Sequence, residues 1–168
     1  MQEPNRFAVA FDQLPSSFPT QAHAPAFWEA LGRAVATFGF LEETLGKAIF
    51  AYTGMRQIPE EQINVENFDV LIAHLREAAG LRNVLCHSSW NKKPDAEGRS
   101  IPFFVTGLGE KQRIFDTPID IAYLQQVQRA VAELACEVIN TVTHMGWQFP
   151  GTRGPGISVS PSKGGAAE

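Results

Sequence analysis

Two long amphipathic segments constrain the fold of this 168-residue chain more than any other feature. The first begins at Pro25 and ends near Gly54, and its apolar residues recur at steps of three and four: Trp28, Leu31, Val35, Phe38, Leu41, Leu45, Ile49 and Tyr52. The second ends at Gly146, with the stripe Leu124, Val127, Val131, Leu134, Val138, Val142 and Met145. This spacing places each stripe on one helix face. Helices of about 28 residues, or roughly 42 Å, usually run side by side in a bundle.

Capping residues and turn residues predict the remaining boundaries. Asp116 or Thr117 is expected to cap the last helix, with Pro118 in its first turn. A middle helix is predicted over residues 65–86, preceded by a short helical turn at 59–62. Between the middle and last helices, residues 101–116 predict a β-hairpin with strands near 101–106 and 111–116 and with Gly107 and Gly109 in the turn. The order helix, helix, hairpin, helix indicates a helical bundle with a small β insertion.

Composition indicates one folded domain. Apolar residues make up 44% of the chain and charged residues 19%, which excludes a disordered chain. We expect an N-terminal arm at 1–24 with a short strand at 7–11, a helical bundle at 25–148, and a flexible tail rich in glycine, proline and serine at 149–168. The net charge of −4 gives no overall signal for nucleic-acid binding.

The number of cysteines and the length of the apolar runs indicate the cellular compartment of the protein. Cys86 and Cys136 are too few and too far apart for a disulfide framework or a zinc site. Both lie in apolar helical stretches, so we expect them to pack as small hydrophobic residues. No leader pattern and no apolar run of about 18 residues is present, which predicts a cytoplasmic protein without a membrane partner.

The most informative stretch runs from Leu81 to Trp90. Arg82 lies within about 20° of Leu71 and Leu75 on a helical wheel, in the middle of an apolar stripe. A buried charge without a partner costs several kcal/mol, so Arg82 either meets a carboxylate, at Glu42 or Glu43, or faces a site that binds an anion. Gly80 lowers helix stability, which indicates close approach of another backbone.

His87 follows Arg82 by five residues. In an uninterrupted helix their side chains diverge by about 140°, whereas Asn83 and His87 share a face. For Arg82 and His87 to serve one site, the helix must end or bend near Cys86, or the site must be shared between two chains. The alternative is structural: Arg82 pairs inside the bundle and His87 caps a helix C-terminus.

This stretch resembles the HEPN family (higher eukaryotes and prokaryotes nucleotide-binding domains). The family signature is an arginine, commonly followed by a polar residue, then a short spacer and a histidine; here it reads Arg82-Asn83-Val84-Leu85-Cys86-His87. Ser88 and Trp90 are similar to the small residue and tryptophan that follow in many members, although glycine is common where Ser88 stands. Residues 37–49 are similar to the family's aromatic-rich first helix. The resemblance covers about residues 25–148.

The resemblance implies an all-α, up-and-down four-helix bundle that forms a homodimer, with the hairpin inserted before its last long helix. It implies a metal-independent endoribonuclease without cofactors, in which Arg82, Asn83 and His87 form a composite site between two chains. Histidine side chains titrate near neutral pH and transfer protons, and an arginine fork fits phosphate oxygens. Many members are toxins, with a cognate antitoxin, or phage-defence effectors. The alternative is a non-catalytic nucleotide-binding or protein-interaction module on the same bundle, or a purely structural dimer.

Four neighbouring residues are weaker candidates for RNA binding: Lys92, Lys93, Trp90 and Ser88. The two lysines contribute to a modest basic footprint for phosphates, although a solvated loop is the favoured interpretation. Trp90 either stacks a base or packs the end of the helix.

Overall fold

The computed structural model describes residues 22–54, 68–107 and 112–152. Within these ranges it contains helix α1 (Pro25–Gly54), helix α2 (Phe68–His87), strand β1 (Val105–Thr106), strand β2 (Arg113–Ile114) and helix α3 (Ile121–Thr143). The predicted order of helix, helix, hairpin and helix is confirmed. The described ranges hold three helices, so a four-helix bundle is not confirmed. The strand predicted at 7–11 and the turn at 59–62 lie outside the described residues.

The core lies mainly between α1 and α3, which run parallel. Gln128 of α3 donates from its side-chain amide to the carbonyl of Ala30 near the start of α1, at 3.2 Å. Beyond the end of α3, Gly151 lies beside Lys47 in the last third of α1. Most of the two predicted stripes is buried or half-buried here, except Ile49, which is exposed, and the buried side chains include Ala34, Phe38, Leu41, Leu124, Val131, Val138 and Val142. The close approach of α1 and α3 therefore follows from the two stripes that the sequence shows.

Helix α2 runs antiparallel to α1. Trp90, just beyond the end of α2, packs against Phe27 near the start of α1, and Arg82 pairs with Glu42 further along. On α2, Leu71, Val84 and Leu85 are buried, while the rest of the helix is half-buried or exposed. Because so few of its residues are buried, much of the α2 surface remains accessible to ligands or partners.

The last helix begins later in the sequence than predicted, because the chain leading to it is paired in extended conformation. Ser100 and Ile119 exchange two backbone hydrogen bonds of 2.8 Å. The chain is therefore extended through Ile119, and α3 begins at Ile121 with Asp120 as its N-cap. The prediction of Asp116 or Thr117 as cap, with Pro118 in the first turn, was wrong. The local capping pattern was overridden by the pairing of Ile119 with a distant residue.

The hairpin itself is antiparallel and short, with Val105 opposite Ile114 and Thr106 opposite Arg113. Gly107 adopts a positive φ of 81°, as the predicted turn requires. Gly109 lies outside the described residues. After α3, Gly146 has a φ of 80°, and Phe149 is 4% exposed within the core. Phe149 therefore belongs to the bundle, although the tail was expected to begin there.

The expectation of buried cysteines was wrong. Cys86 and Cys136 are free thiols, and both are exposed. Each directly follows a buried position, Leu85 or Ala135. The two adjacent buried positions before each cysteine, Val84–Leu85 and Leu134–Ala135, already span about 100° of the helix, so the cysteine lies about 100° further round, beyond the buried face.

None of the helices in the described ranges combines the length and the apolar composition that a membrane span requires.

We expect Asp120→Ala to lower the free energy of unfolding by about 1 kcal/mol, since typical N-cap losses are about 0.5–2 kcal/mol. The Asp120 carboxylate accepts a 2.7 Å hydrogen bond from the backbone N–H of Tyr123, which has no partner inside the helix. Chemical denaturation measures the loss. Asp116→Ala is the matched control, since Asp116 is exposed and precedes the helix; an equal loss there would contradict the observed cap.

Candidate functional site

Arg82 pairs with a carboxylate at the surface of the bundle. Its Nη2 atom lies 3.3 Å from Oε1 of Glu42, with 38% of the arginine side chain and 58% of the glutamate side chain exposed. The sequence predicted a carboxylate partner for an arginine buried inside the bundle. The partner is present, but the pair is open to solvent. Exposed ion pairs contribute only about 0–1 kcal/mol to stability. A phosphate group could therefore compete with Glu42 for this guanidinium at little cost to the fold.

Asn83 is exposed and lies beside Arg82. Nη1 of Arg82 donates to Oδ1 of Asn83 at 3.5 Å, a long hydrogen bond. The guanidinium therefore contacts Glu42 through one nitrogen and Asn83 through another. The Asn83 amide nitrogen has no acceptor among the described residues, so it can donate to a ligand.

His87 is the last residue of α2 and is exposed. The backbone N–H of Ser88 donates to the carbonyl of Val84 at 3.1 Å, so the helical pattern continues unbroken past Cys86. Side chains five residues apart on such a helix diverge by about 140°. One chain therefore does not bring Arg82 and His87 together, whereas it places Asn83 and His87 on one face. Among the described residues, the side chain of His87 makes no hydrogen bond and no ion pair, since the helix uses only its backbone.

Ser88 completes the end of the helix. Its hydroxyl donates to the carbonyl of Val84, which also accepts from the Ser88 backbone. The side chain is half-buried. The Ser88 hydroxyl therefore has a structural role at the end of the helix. A contact between Ser88 and RNA stays a prediction.

Trp90 is enclosed by the core. It is 6% exposed, and its ring packs edge-on against Phe27 with centroids 5.2 Å apart and against His23 at 6.1 Å. A base cannot stack on this ring unless the core opens. The position matches the alternative that Trp90 packs the end of α2.

Lys92 and Lys93 are exposed in the loop after α2. In the same loop Arg99 is held by Asp95 at 2.9 Å and by Glu97 at 2.8 Å. The backbone N–H of Arg99, followed by its guanidinium, holds the pKa of Asp95 below its ordinary value. The charge of Arg99 is thus used within the loop, while neither lysine has a carboxylate partner in the described ranges.

A cavity of about 240 Å³ lies between α2 and the hairpin, next to Asn83. Gly80 and Asn83 line it from the helix, and Phe104, Arg113 and Phe115 line it from the hairpin. Sequence reasoning missed Arg113, since it lies thirty residues beyond Asn83 along the chain. Its place in the second predicted strand of the hairpin was the one available signal.

A larger groove of about 430 Å³ lies between α2 and α3. Its rim carries three carboxylates, Glu77, Glu133 and Glu137, which would repel an RNA backbone. This groove is therefore a poor RNA site. In the parts of the chain that the structure describes, no three His, Cys, Asp or Glu side chains cluster closely enough to hold a metal ion.

No protein-family model, curated protein or solved structure matches this chain. The resemblance to the HEPN family therefore depends on the residues from Arg82 to Trp90 and on the helix around residues 37–49, and membership stays a prediction.

Proposed function

We propose that this protein is a metal-independent endoribonuclease of HEPN type, active as a homodimer. The observation that carries the proposal is the placement of Arg82 and His87. Both belong to one continuous helix, both are accessible to solvent, and they point about 140° apart. An arginine of one chain and a histidine of a second chain then combine into one site where two copies of α2 meet.

The chemistry follows from these side chains. In the proposed reaction, His87 removes the proton from a ribose 2′-hydroxyl, whose oxygen attacks the adjacent phosphorus. The bond from phosphorus to the 5′-oxygen breaks, and this oxygen takes up a proton as it leaves. The products are a 2′,3′-cyclic phosphate end and a 5′-hydroxyl end. The fork of Arg82 neutralises charge on the phosphate oxygens as the transition state forms.

Asn83 supports this reaction from the same face as His87. In the proposed site its amide orients the imidazole or donates to a phosphate oxygen. Lys92 and Lys93, for which the described ranges hold no carboxylate partner, add two cations in the following loop, which favour binding of the RNA backbone. A role as a toxin with a cognate antitoxin, or as a phage-defence effector, belongs to the same proposal.

The pairing of Arg82 with Glu42 favours one other function. If this pair persists when RNA is present, the protein is a non-catalytic nucleotide-binding or protein-interaction module on the same bundle. Both functions require an accessible α2, and they differ in whether RNA is cleaved.

We expect purified protein to cleave labelled RNA of random sequence, equally well with and without EDTA, and to leave cyclic phosphate ends. Analytical ultracentrifugation is expected to show a dimer, because the site needs two chains. The proposal fails if no RNA in the pool is cleaved at any protein concentration; nucleotide binding without cleavage would establish the non-catalytic module. A monomer that cleaves RNA at full rate would contradict the composite site.

A further inference from the structure

We infer that the cavity between α2 and the hairpin is a subsite for one nucleobase of the RNA, with Arg113 holding an adjoining phosphate. The inference rests on the proposed function, since it places this base beside the phosphate that is cleaved. Four features of the cavity support it: its walls, its polar groups, the glycine in its floor and its position next to Arg82.

The walls of the cavity suit an aromatic ring. The backbone N–H of Phe115 donates to the carbonyl of Phe104 at 3.0 Å, so the two phenylalanines lie opposite each other on the hairpin. Both side chains are half-buried, and both line the cavity. Its volume of about 240 Å³ is below the roughly 300–1,000 Å³ of sites for drug-sized ligands and suits a single ring system. Bases bind by stacking on such side chains.

The polar groups of the cavity suit a nucleotide. The Asn83 side chain offers both a donor and an acceptor, as the edge of a base requires. Arg113 alternates with Phe115 along its strand, so both side chains lie on the same face of the hairpin. Arg113 is exposed and has no carboxylate partner among the described residues, in contrast to Arg33 and Arg99. Its guanidinium is therefore available for a phosphate.

Gly80 keeps the floor of the cavity open. Glycine inside a helix costs about 1 kcal/mol relative to alanine, so its presence needs a reason. The sequence suggested close approach of another backbone, which the described residues do not show: a Cβ atom at Gly80 would meet none of their atoms within 4 Å. A side chain at this position would instead project into the cavity that Gly80 lines.

The cavity adjoins the proposed catalytic residues. Asn83 lines the cavity and also accepts the hydrogen bond from Arg82. A base held against Asn83 would therefore place its own phosphate close to the Arg82 guanidinium. The subsite would select how the RNA enters the site without taking part in proton transfer.

Gly80→Leu tests the subsite, because it adds a large side chain at a position that lines the cavity and where a Cβ atom would meet no described atom within 4 Å. Arg113→Gln is the second variant, and it removes a charge from an exposed position. We expect each to weaken binding of the four 5′-nucleoside monophosphates by about tenfold or more, measured by NMR titration. In cleavage assays we expect both to raise KM more than they lower kcat. Gly32→Leu is the matched control, since Gly32 is another helical glycine whose Cβ would meet no atom within 4 Å.

The outcomes separate the subsite from the proposed activity. If wild-type protein cleaves RNA and both variants bind nucleotides and cleave RNA as it does, the subsite is refuted while the endoribonuclease stands. If wild-type protein cleaves no RNA but binds nucleotides, and Gly80→Leu abolishes that binding, the cavity is supported and the endoribonuclease is refuted. Arg113→Lys is expected to recover part of the binding, since it restores the charge without the fork.

Discussion

Replacing His87 or Arg82 with alanine is expected to abolish RNA cleavage while the protein stays folded. Proton transfer by a positioned side chain is commonly worth about 10²–10⁴-fold, and a donor that stabilises developing charge about 10²–10³-fold. Both residues are accessible on α2, so neither substitution disturbs the core. Asn83→Ala is expected to lower the rate less, because Asn83 orients the site and carries no proton. Rates on a labelled RNA measure all three effects.

Two further variants of α2 serve as matched controls. His74→Ala and Arg76→Ala remove the same residue types from exposed positions elsewhere on the helix, and we expect them to leave cleavage unchanged. Glu42→Gln measures what the Arg82 ion pair contributes to folding, and we expect a change of less than about 1 kcal/mol in the free energy of unfolding. Full activity of His87→Ala would refute the mechanism.

A mixture of the two inactive variants tests whether the site is shared. In a heterodimer of Arg82→Ala and His87→Ala, a composite arrangement leaves one site with its arginine from one chain and its histidine from the other. Part of the activity is then expected to return on mixing. Sites built within one chain would stay inactive in every combination, and a mixture without recovered activity would argue for them.

Trp90→Ala is expected to lower the free energy of unfolding by about 3–5 kcal/mol, the usual cost of truncating a large buried aromatic residue. Trp90 is 6% exposed and joins α2 to Phe27 of α1, so its loss leaves a cavity where the two helices meet. Chemical denaturation followed by circular dichroism measures the change. Trp90→Phe keeps an aromatic ring and is expected to cost less.

The same variants decide between packing and base stacking. If Trp90 packs the core, the Trp90→Phe variant is expected to bind RNA as tightly as the wild type under conditions in which both proteins are fully folded. A Trp90→Ala protein with unchanged stability and greatly weakened RNA binding would show that the ring serves RNA instead.

The helices were predictable because periodicity and capping are local properties. The stripe from Trp28 to Tyr52 indicated α1, whose observed bounds of Pro25–Gly54 agree with the prediction. The hairpin was predicted from residues 101–116 with Gly107 and Gly109 in the turn, although its strands, Val105–Thr106 and Arg113–Ile114, are shorter than predicted. The motif from Arg82 to His87 was visible in sequence too, together with Glu42 as a partner for its arginine.

Other features depended on residues far apart in the chain. The start of α3 moved to Ile121 because Ile119 pairs with Ser100, a contact that no capping pattern contains. The exposure of Cys86 and Cys136 followed from how far the core wraps around each helix. The cavity beside Asn83 depended on how the hairpin folds back against α2, which brings Arg113 there.

The sequence by itself determined the order of the three helices, the residue order of the motif and the divergence of Arg82 from His87 along one helix. These depend on backbone geometry and on neighbours within a few turns. The tertiary structure alone decided which of these side chains are accessible. Packing against α1 buried Trp90 and left the Arg82–Glu42 pair open to solvent, and the hairpin folding back against α2 formed the cavity that Gly80 lines, since burial depends on the elements that meet at each position.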